Sequence, residues 1–191
     1  MYCGENVIKA EIEILKAYSD SKTFSFDGKM LIVFNKDGIL LIRVDKIRIM
    51  MTIESIQNEI IDEFSMFDDW MQKYEYMIDL GKSLPLISEN NKLDDRLIAG
   101  CQSKVWLDAQ LIDGKINYTA DSDAIITKGI IAILLRVFSN QTPNDILNSN
   151  TNFIDEIGLK EHLSPTRANG LVSMIKQLKI YALAFQAQIN K

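Results

Sequence analysis

Apolar residues recur along the chain with two different periods, and the change of period marks out the elements. Ile53, Ile56, Ile60, Phe64 and Phe67 step by three and four residues, which predicts one stripe of a helix capped by Thr52. Asp68 and Asp69 open a second helix with Trp70, Tyr74, Met77 and Ile78 inward and Gly81 as its stop, and these two helices are expected to pair. Beyond Leu84-Pro85 and a charged stretch over 92–96 the period falls to two. Val105, Leu107, Ala109 and Leu111 share one face, opposite Lys104, Trp106, Asp108 and Gln110. Asp113-Gly114 then turns the chain into a partner strand over 115–120, so the segment reads as a hairpin. Trp106, on the face away from the core, is expected to pack under the terminal helices or to join a partner surface.

Asp121-Ser122-Asp123 reads as a capping cluster for a helix over 124–138 that is apolar on most sides, the expected core helix. Thr142-Pro143 and Ser164-Pro165 each set a capping hydroxyl before a proline at the first helical position. A short helix follows the first, and a long one the second, with Leu171, Met174, Ile175, Leu178, Tyr181 and Phe185 inward. Two helices, a hairpin and three further helices predict an α+β fold, with several helices on one face of a small antiparallel sheet.

Residues 1–50 have a different character. A helix is predicted over 6–18, followed by apolar runs at 23–26, 30–34 and 39–44 separated by the turn signals Asp27-Gly28 and Asp37-Gly38. This part carries 8 Lys+Arg against 7 Asp+Glu, whereas 51–191 carries 13 against 19, so the acidity belongs to the second part and a boundary is expected near Met50 and Met51. Two readings are open for residues 1–50: an N-terminal extension, or a translated upstream segment ahead of a true start at Met50 or Met51.

Composition narrows the function classes. A content of 47% hydrophobic and 25% charged residues over 191 positions is that of an ordinary globular chain. The longest apolar run, 129–135, is far shorter than the roughly 20 residues of a membrane span. With no readable secretory signal, a cytoplasmic location is expected. A net charge of -5 without Lys and Arg clusters argues against nucleic-acid binding. Two Cys and one His cannot supply the four ligands of a structural zinc site or the thiolates of an iron–sulfur site, so no metal centre of this chain's own is expected.

The chemistry that remains centres on Cys101, where an irregular segment becomes the first hairpin strand. Gly100 before it allows turns closed to other residues and leaves room for another protein to approach the sulfur. A lone cysteine can equally be a small buried hydrophobe.

Resemblance sharpens this. The run Gly100-Cys101-Gln102-Ser103, then Val105-Trp106, Asp121-Ser122-Asp123-Ala124, Lys128-Gly129 and His162-Leu163-Ser164-Pro165-Thr166-Arg167 with Gly170-Leu171, resembles the SufE family of sulfur acceptors. Phe67, Trp70, Tyr74, Tyr76, Leu80-Gly81 and Leu84-Pro85 fit the same pattern, so the resemblance covers about 53–185 and makes 51–191 a SufE-like domain. It implies an accessory protein of iron–sulfur cluster assembly. Cys101 would accept persulfide sulfur from a cysteine desulfurase of the SufS type, stimulate that enzyme, and pass the sulfur to a scaffold complex containing SufB. The pyridoxal phosphate belongs to the desulfurase, and no cofactor is implied for this chain. Gly100, Gln102, Ser103, Asp123, His162 and Arg167 are implied as loop support or partner contacts.

Two rival classes are testable alternatives: a Cys-dependent hydrolase pairing Cys101 with His162, and a non-catalytic interaction module of the same fold. A cluster scaffold would need about three thiolates per chain, and the second part supplies one.

Overall fold

A computed structural model describes residues 21–26, 30–35 and 40–45 as strands and residues 52–190 in full. The chain divides into two units, Met1–Met50 and Met51–Lys191. In the first, β1 (Ser21–Phe26), β2 (Met30–Asn35) and β3 (Leu40–Asp45) form an antiparallel sheet in sequence order. Its register sets Phe24 opposite Val33 and Leu31 opposite Val44. The three apolar runs are these strands. The helix expected over 6–18, both Asp-Gly turns and Cys3 lie outside the described residues.

The second unit begins with α1 (Ile53–Ser65), where the Thr52 hydroxyl accepts the Ser55 N–H at 3.1 Å. Ile53, Ile56, Ile60 and Phe64 are buried, as their spacing requires. In α2 (Trp70–Lys82) the Asp69 carboxylate accepts the Gln72 N–H at 2.9 Å. Gly81 does not stop this helix. It is buried within the last turn, where a Cβ would stand 2.9 Å from the backbone nitrogen of Gly129 in α3 (Ile125–Phe138). The expected pairing of α1 with α2 gives way for the same reason: Gly81 and Gly129 let α2 approach α3 closely, and α2 packs chiefly there. α1 meets α2 at one corner, where Tyr76 packs against Phe64 and against Phe67 just beyond α1 and its hydroxyl reaches Glu63.

The hairpin joins β4 (Val105–Ile112) to β5 (Lys115–Ser122) through Asp113 and Gly114, whose φ values of 51° and 75° are the two positive values of a type I′ turn. β5 runs two residues beyond the predicted strand because Asp121 and Ser122 go on pairing with Trp106 and Val105. Val105, Leu107, Ile116, Tyr118 and Ala120 are buried. Above them lie α3 and the long helix α6 (Pro165–Ile189). The Tyr118 hydroxyl donates to Leu178 O at 2.8 Å and the Tyr181 hydroxyl to Leu107 O at 3.1 Å, which ties α6 to the hairpin. Single bridges from Leu97 to Trp106 and from Leu86 to Ala120 cover the two edges. Trp106 therefore lies beneath the 86–97 loop, with Lys92 Nζ 5.7 Å from its ring, and not beneath the terminal helices. The short helices α4 (Pro143–Asn148) and α5 (Phe153–Glu156) complete an α+β unit that is mostly helical around a two-stranded sheet.

Across the helices, Arg136 of α3 grips Glu63 of α1 with two nitrogens at 2.5 and 2.7 Å, and the Tyr76 hydroxyl donates to the same carboxylate at 2.7 Å. The Arg136 hydrogen bonds hold the Glu63 carboxyl below its ordinary range, against burial that would raise it. A depressed folded-state pKa stabilises fully above the unfolded value and is lost as pH falls through the carboxylate range. Arg136→Met is expected to lower stability at pH 7 by about 1–2 kcal/mol, with the deficit shrinking below about pH 4. Urea midpoints at the two pH values check this; an equal deficit at both would assign the loss to packing.

Candidate functional site

Residues 99–103 link the bridge at Leu97 to the start of β4 and lie against the first turns of α6. Gly100 has φ of 86°, in the left-handed region, and a Cβ there would stand 2.9 Å from Ser173 Oγ on α6. Only glycine meets both conditions without strain. The next residue, Cys101, is half-buried, with Sγ 3.8 Å from the Gly170 carbonyl oxygen as a weak S–H donor. Gly170 packs directly against it, and a Cβ there would stand in ordinary contact with the sulfur at 3.4 Å.

The cysteine opens into a small cleft. Gln102 and Ser103 line one side, Thr166 and Arg167 the other, and Ile130 and Met174 the floor. Its free volume is about 10 Å³, room for one water-sized group. Burial pushes the Cys101 thiol pKa up, which favours the neutral thiol, the weaker nucleophile.

Of the residues singled out in the sequence, Gly100, Cys101, Gln102, Ser103 and Arg167 come together here. Arg167 sits in the first turn of α6 as expected, exposed on the cleft rim and without an ion pair among the described residues. Asp123 lies at the loop's far end and is not a helix cap. Its carboxylate accepts the Lys104 N–H at 3.0 Å and its own N–H donates to Lys104 O at 3.3 Å, pinning the start of β4 to the end of β5. Asp121 is not a cap either: it is buried between Lys92 Nζ at 2.6 Å and Lys128 Nζ at 2.7 Å. Burial raises its pKa, but the hydrogen bonds from Lys128, Lys92 and Ser122 N–H outweigh this and hold it below its ordinary range. α3 starts at Ala124 without a side-chain cap. For Asp123 the hairpin decides this, since the closing ends of its strands bring the Lys104 N–H to the carboxylate, and for Asp121 two lysine ammoniums, one from the 86–97 loop and one from α3, take the carboxylate instead.

His162 does not line the cleft. Its ring stacks on Trp70 at 3.8 Å between centroids, Nδ1 meets Gly158 O at 3.0 Å, and its carbonyl accepts the Tyr74 hydroxyl. Besides the floor residues Ile130 and Met174, three cleft residues were not singled out as site candidates from the sequence: Thr127, Thr166 and Gly170. The last two stand inside the quoted motif beside Arg167, which was the only signal available for them.

A family model described as the SufE Fe-S metabolism associated domain matches residues 58–182. The chain belongs to the SufE family. An uncharacterized SufE-like protein of Rhizobium meliloti (strain 1021) is 40% identical over 129 residues, covering 64% of this chain and 91% of that protein. An uncharacterized SufE-like protein of Synechocystis sp. is 36% identical over 128 residues, covering 67% and 80%. The solution structure of a hypothetical protein from Thermus thermophilus matches with a TM-score of 0.58 at 17% identity, over 68% of this chain and 94% of that one, a likeness of fold. The SufE match contains both walls of the Cys101 cleft, and residues 1–50 fall outside it. Among the described residues no group of three or more His, Cys, Asp and Glu could hold a metal ion, and no helix is long and apolar enough to cross a membrane.

Proposed function

We propose that this SufE-family protein is a cytoplasmic sulfur acceptor for iron–sulfur cluster assembly, taking persulfide sulfur from a pyridoxal-phosphate-dependent cysteine desulfurase onto Cys101. The observation that carries this reading is the setting of the thiol: a half-buried sulfur after a left-handed glycine, facing a cleft with room for one further small group. The Cys101 thiolate attacks the outer sulfur of the desulfurase persulfide. The sulfur–sulfur bond to the desulfurase breaks, its cysteine leaves as thiolate with the electron pair, and the new bond forms on Cys101. The proton lost by Cys101 goes to the leaving thiolate, so no oxidant or reductant is consumed. A scaffold complex then receives the sulfur. Docking also stimulates the desulfurase, because its persulfide is cleared.

The hydrolase alternative lacks its base. His162 is the chain's one histidine, and its contacts are Trp70, Gly158 and Tyr74. Intact mass after incubation with desulfurase, cysteine and pyridoxal phosphate tests the reading. A gain of one sulfur, about 32 Da, on Cys101 is expected. The same gain is expected from a chain starting at Met51, since residues 1–50 are proposed to be an extension dispensable for acceptance. No gain in either protein would sink the proposal, and a gain in the full chain alone would sink the dispensability of the extension.

Arg167 is proposed to steady the emerging thiolate or to meet desulfurase carboxylates. A cation in the first turn of a helix opposes the helix dipole, which argues for another use of its charge. Arg167→Ala is expected to slow sulfur transfer several-fold while stability changes by less than about 1 kcal/mol, because the side chain is exposed. Equal transfer rates with a lowered denaturation midpoint would make Arg167 structural.

A further inference from the structure

The Cys101 loop is held in an unusual way. Its ends are fixed by backbone: Ile98 N–H donates to Val105 O at 2.8 Å, and Lys104 exchanges two hydrogen bonds with Asp123. Between them, beyond the local turn at residues 99 and 100, no backbone group of 99–103 is hydrogen-bonded to another element among the described residues. Two side-chain links remain. One is the weak Cys101 Sγ contact to Gly170 O at 3.8 Å, and the other runs from the Thr166 hydroxyl to the Gln102 side-chain oxygen at 3.0 Å.

Ser164 shows a related departure. It occupies the N-cap of α6, where a serine ordinarily accepts a helix N–H, yet it makes no capping bond. Its hydroxyl lies instead 3.2 Å from Thr166 Oγ1. Thr166 has one proton, given to Gln102, so Ser164 donates to Thr166 and a two-hydroxyl relay ends on the loop. The helix forgoes a cap, and the loop gains an anchor.

We propose that Thr166 is the positioning residue of the Cys101 loop: its hydrogen bond to Gln102 latches the loop over the cleft and so governs how often the thiol is presented. As a statement about sulfur acceptance this rests on the function proposed above; as a statement about the loop it does not. Gln102 and Thr166 are both exposed. A docking protein that competes for either group releases the latch, which couples docking to exposure of the sulfur. Gly100, already in a conformation open to glycine, carries the backbone change.

The experiment measures alkylation of Cys101 by iodoacetamide, read on the Cys101 peptide by mass so that Cys3 does not contribute. Thr166→Val and Gln102→Leu are each expected to speed alkylation about three- to tenfold, the change in open population for one neutral hydrogen bond lost. Thr166→Ser, which keeps the hydroxyl, should restore the wild-type rate. The double variant should be no faster than either single one, because both remove the same bond. In Thr166→Val the rise of alkylation with pH should also move to lower pH, as the burial that raises the thiol pKa is relieved. A Thr166→Val rate equal to wild type, a Thr166→Ser rate equal to that of Thr166→Val, or an unmoved pH profile would each overturn the latch. The two proposals fail separately. Faster alkylation with no sulfur gained from a desulfurase keeps the latch and removes the function, and sulfur gained with unchanged alkylation does the reverse.

Discussion

Gly129→Ala is expected to lower the stability of the second unit by about 3 kcal/mol and its thermal midpoint by roughly 10 °C. The added Cβ would stand 2.4 Å from the carbonyl oxygen of Met77 and 2.8 Å from its carbonyl carbon. Both are backbone atoms of α2, so no rotamer change relieves the contact and the helices must move apart. That movement loosens the packing around Met77, Ile130 and Ile133, which are almost wholly buried. Alanine is favoured over glycine within a helix by about 1 kcal/mol, which is smaller than the clash and sets the net effect. Gly114→Ala is the contrasting case: no atom lies within 4 Å, and the cost is that of φ at 75°, about 1 kcal/mol. Thermal and urea unfolding of both variants tests the comparison. A Gly129→Ala protein as stable as wild type would mean that α2 and α3 do not approach this closely.

Cys101→Ser is expected to take sulfur acceptance to background, and stimulation of the desulfurase with it, while the fold is kept. A serine hydroxyl does not displace a thiolate from a persulfide at neutral pH, because it stays protonated and is a poor nucleophile toward sulfur. The interaction given up is small: one Sγ contact to Gly170 O at 3.8 Å, in a site that a hydroxyl fills without crowding. Stability should therefore change by less than about 1 kcal/mol. Intact mass, desulfurase turnover and a denaturation midpoint are measured on the same preparation. Sulfur retained by the serine variant would move the acceptor to another residue, and Cys3 would then be the one to replace. A large loss of stability would instead make Cys101 a packing residue.

What could be read from the sequence is what neighbours within a few residues dictate. The stripe from Ile53 to Phe64 and the alternation from Val105 to Leu111 are repeats of 3.6 and 2, and both elements stand where those repeats put them. Thr52, Asp69 and Thr142 cap their helices because a cap bonds three residues ahead. Asp113-Gly114 turns because its two residues accept positive φ. The α+β class follows from the order of such elements, and the site's centre was legible because Gly100, Cys101, Gln102 and Ser103 are consecutive.

The rest was decided by contacts between positions far apart in the chain. Gly81 reads as a helix stop until Gly129 is found against it, and that same contact gives α2 its partner. Asp121 and Asp123 read as caps until folding brings Lys92 of the 86–97 loop and Lys128 of α3 to the first and the Lys104 N–H to the second. Ser164 reads as a cap until Thr166 and Gln102 draw its hydroxyl away, and His162, which reads more as an ordering residue of the turn before the last helix than as a base, has its ring against Trp70 and Gly158. Local pattern determined which segments are helix or strand and which thiol stands at the loop, since both depend on short-range sterics and capping. Tertiary structure alone decided which polar groups pair and how the Cys101 loop is held, because a donor bonds the acceptor that folding brings nearest, and sequence distance carries no record of it.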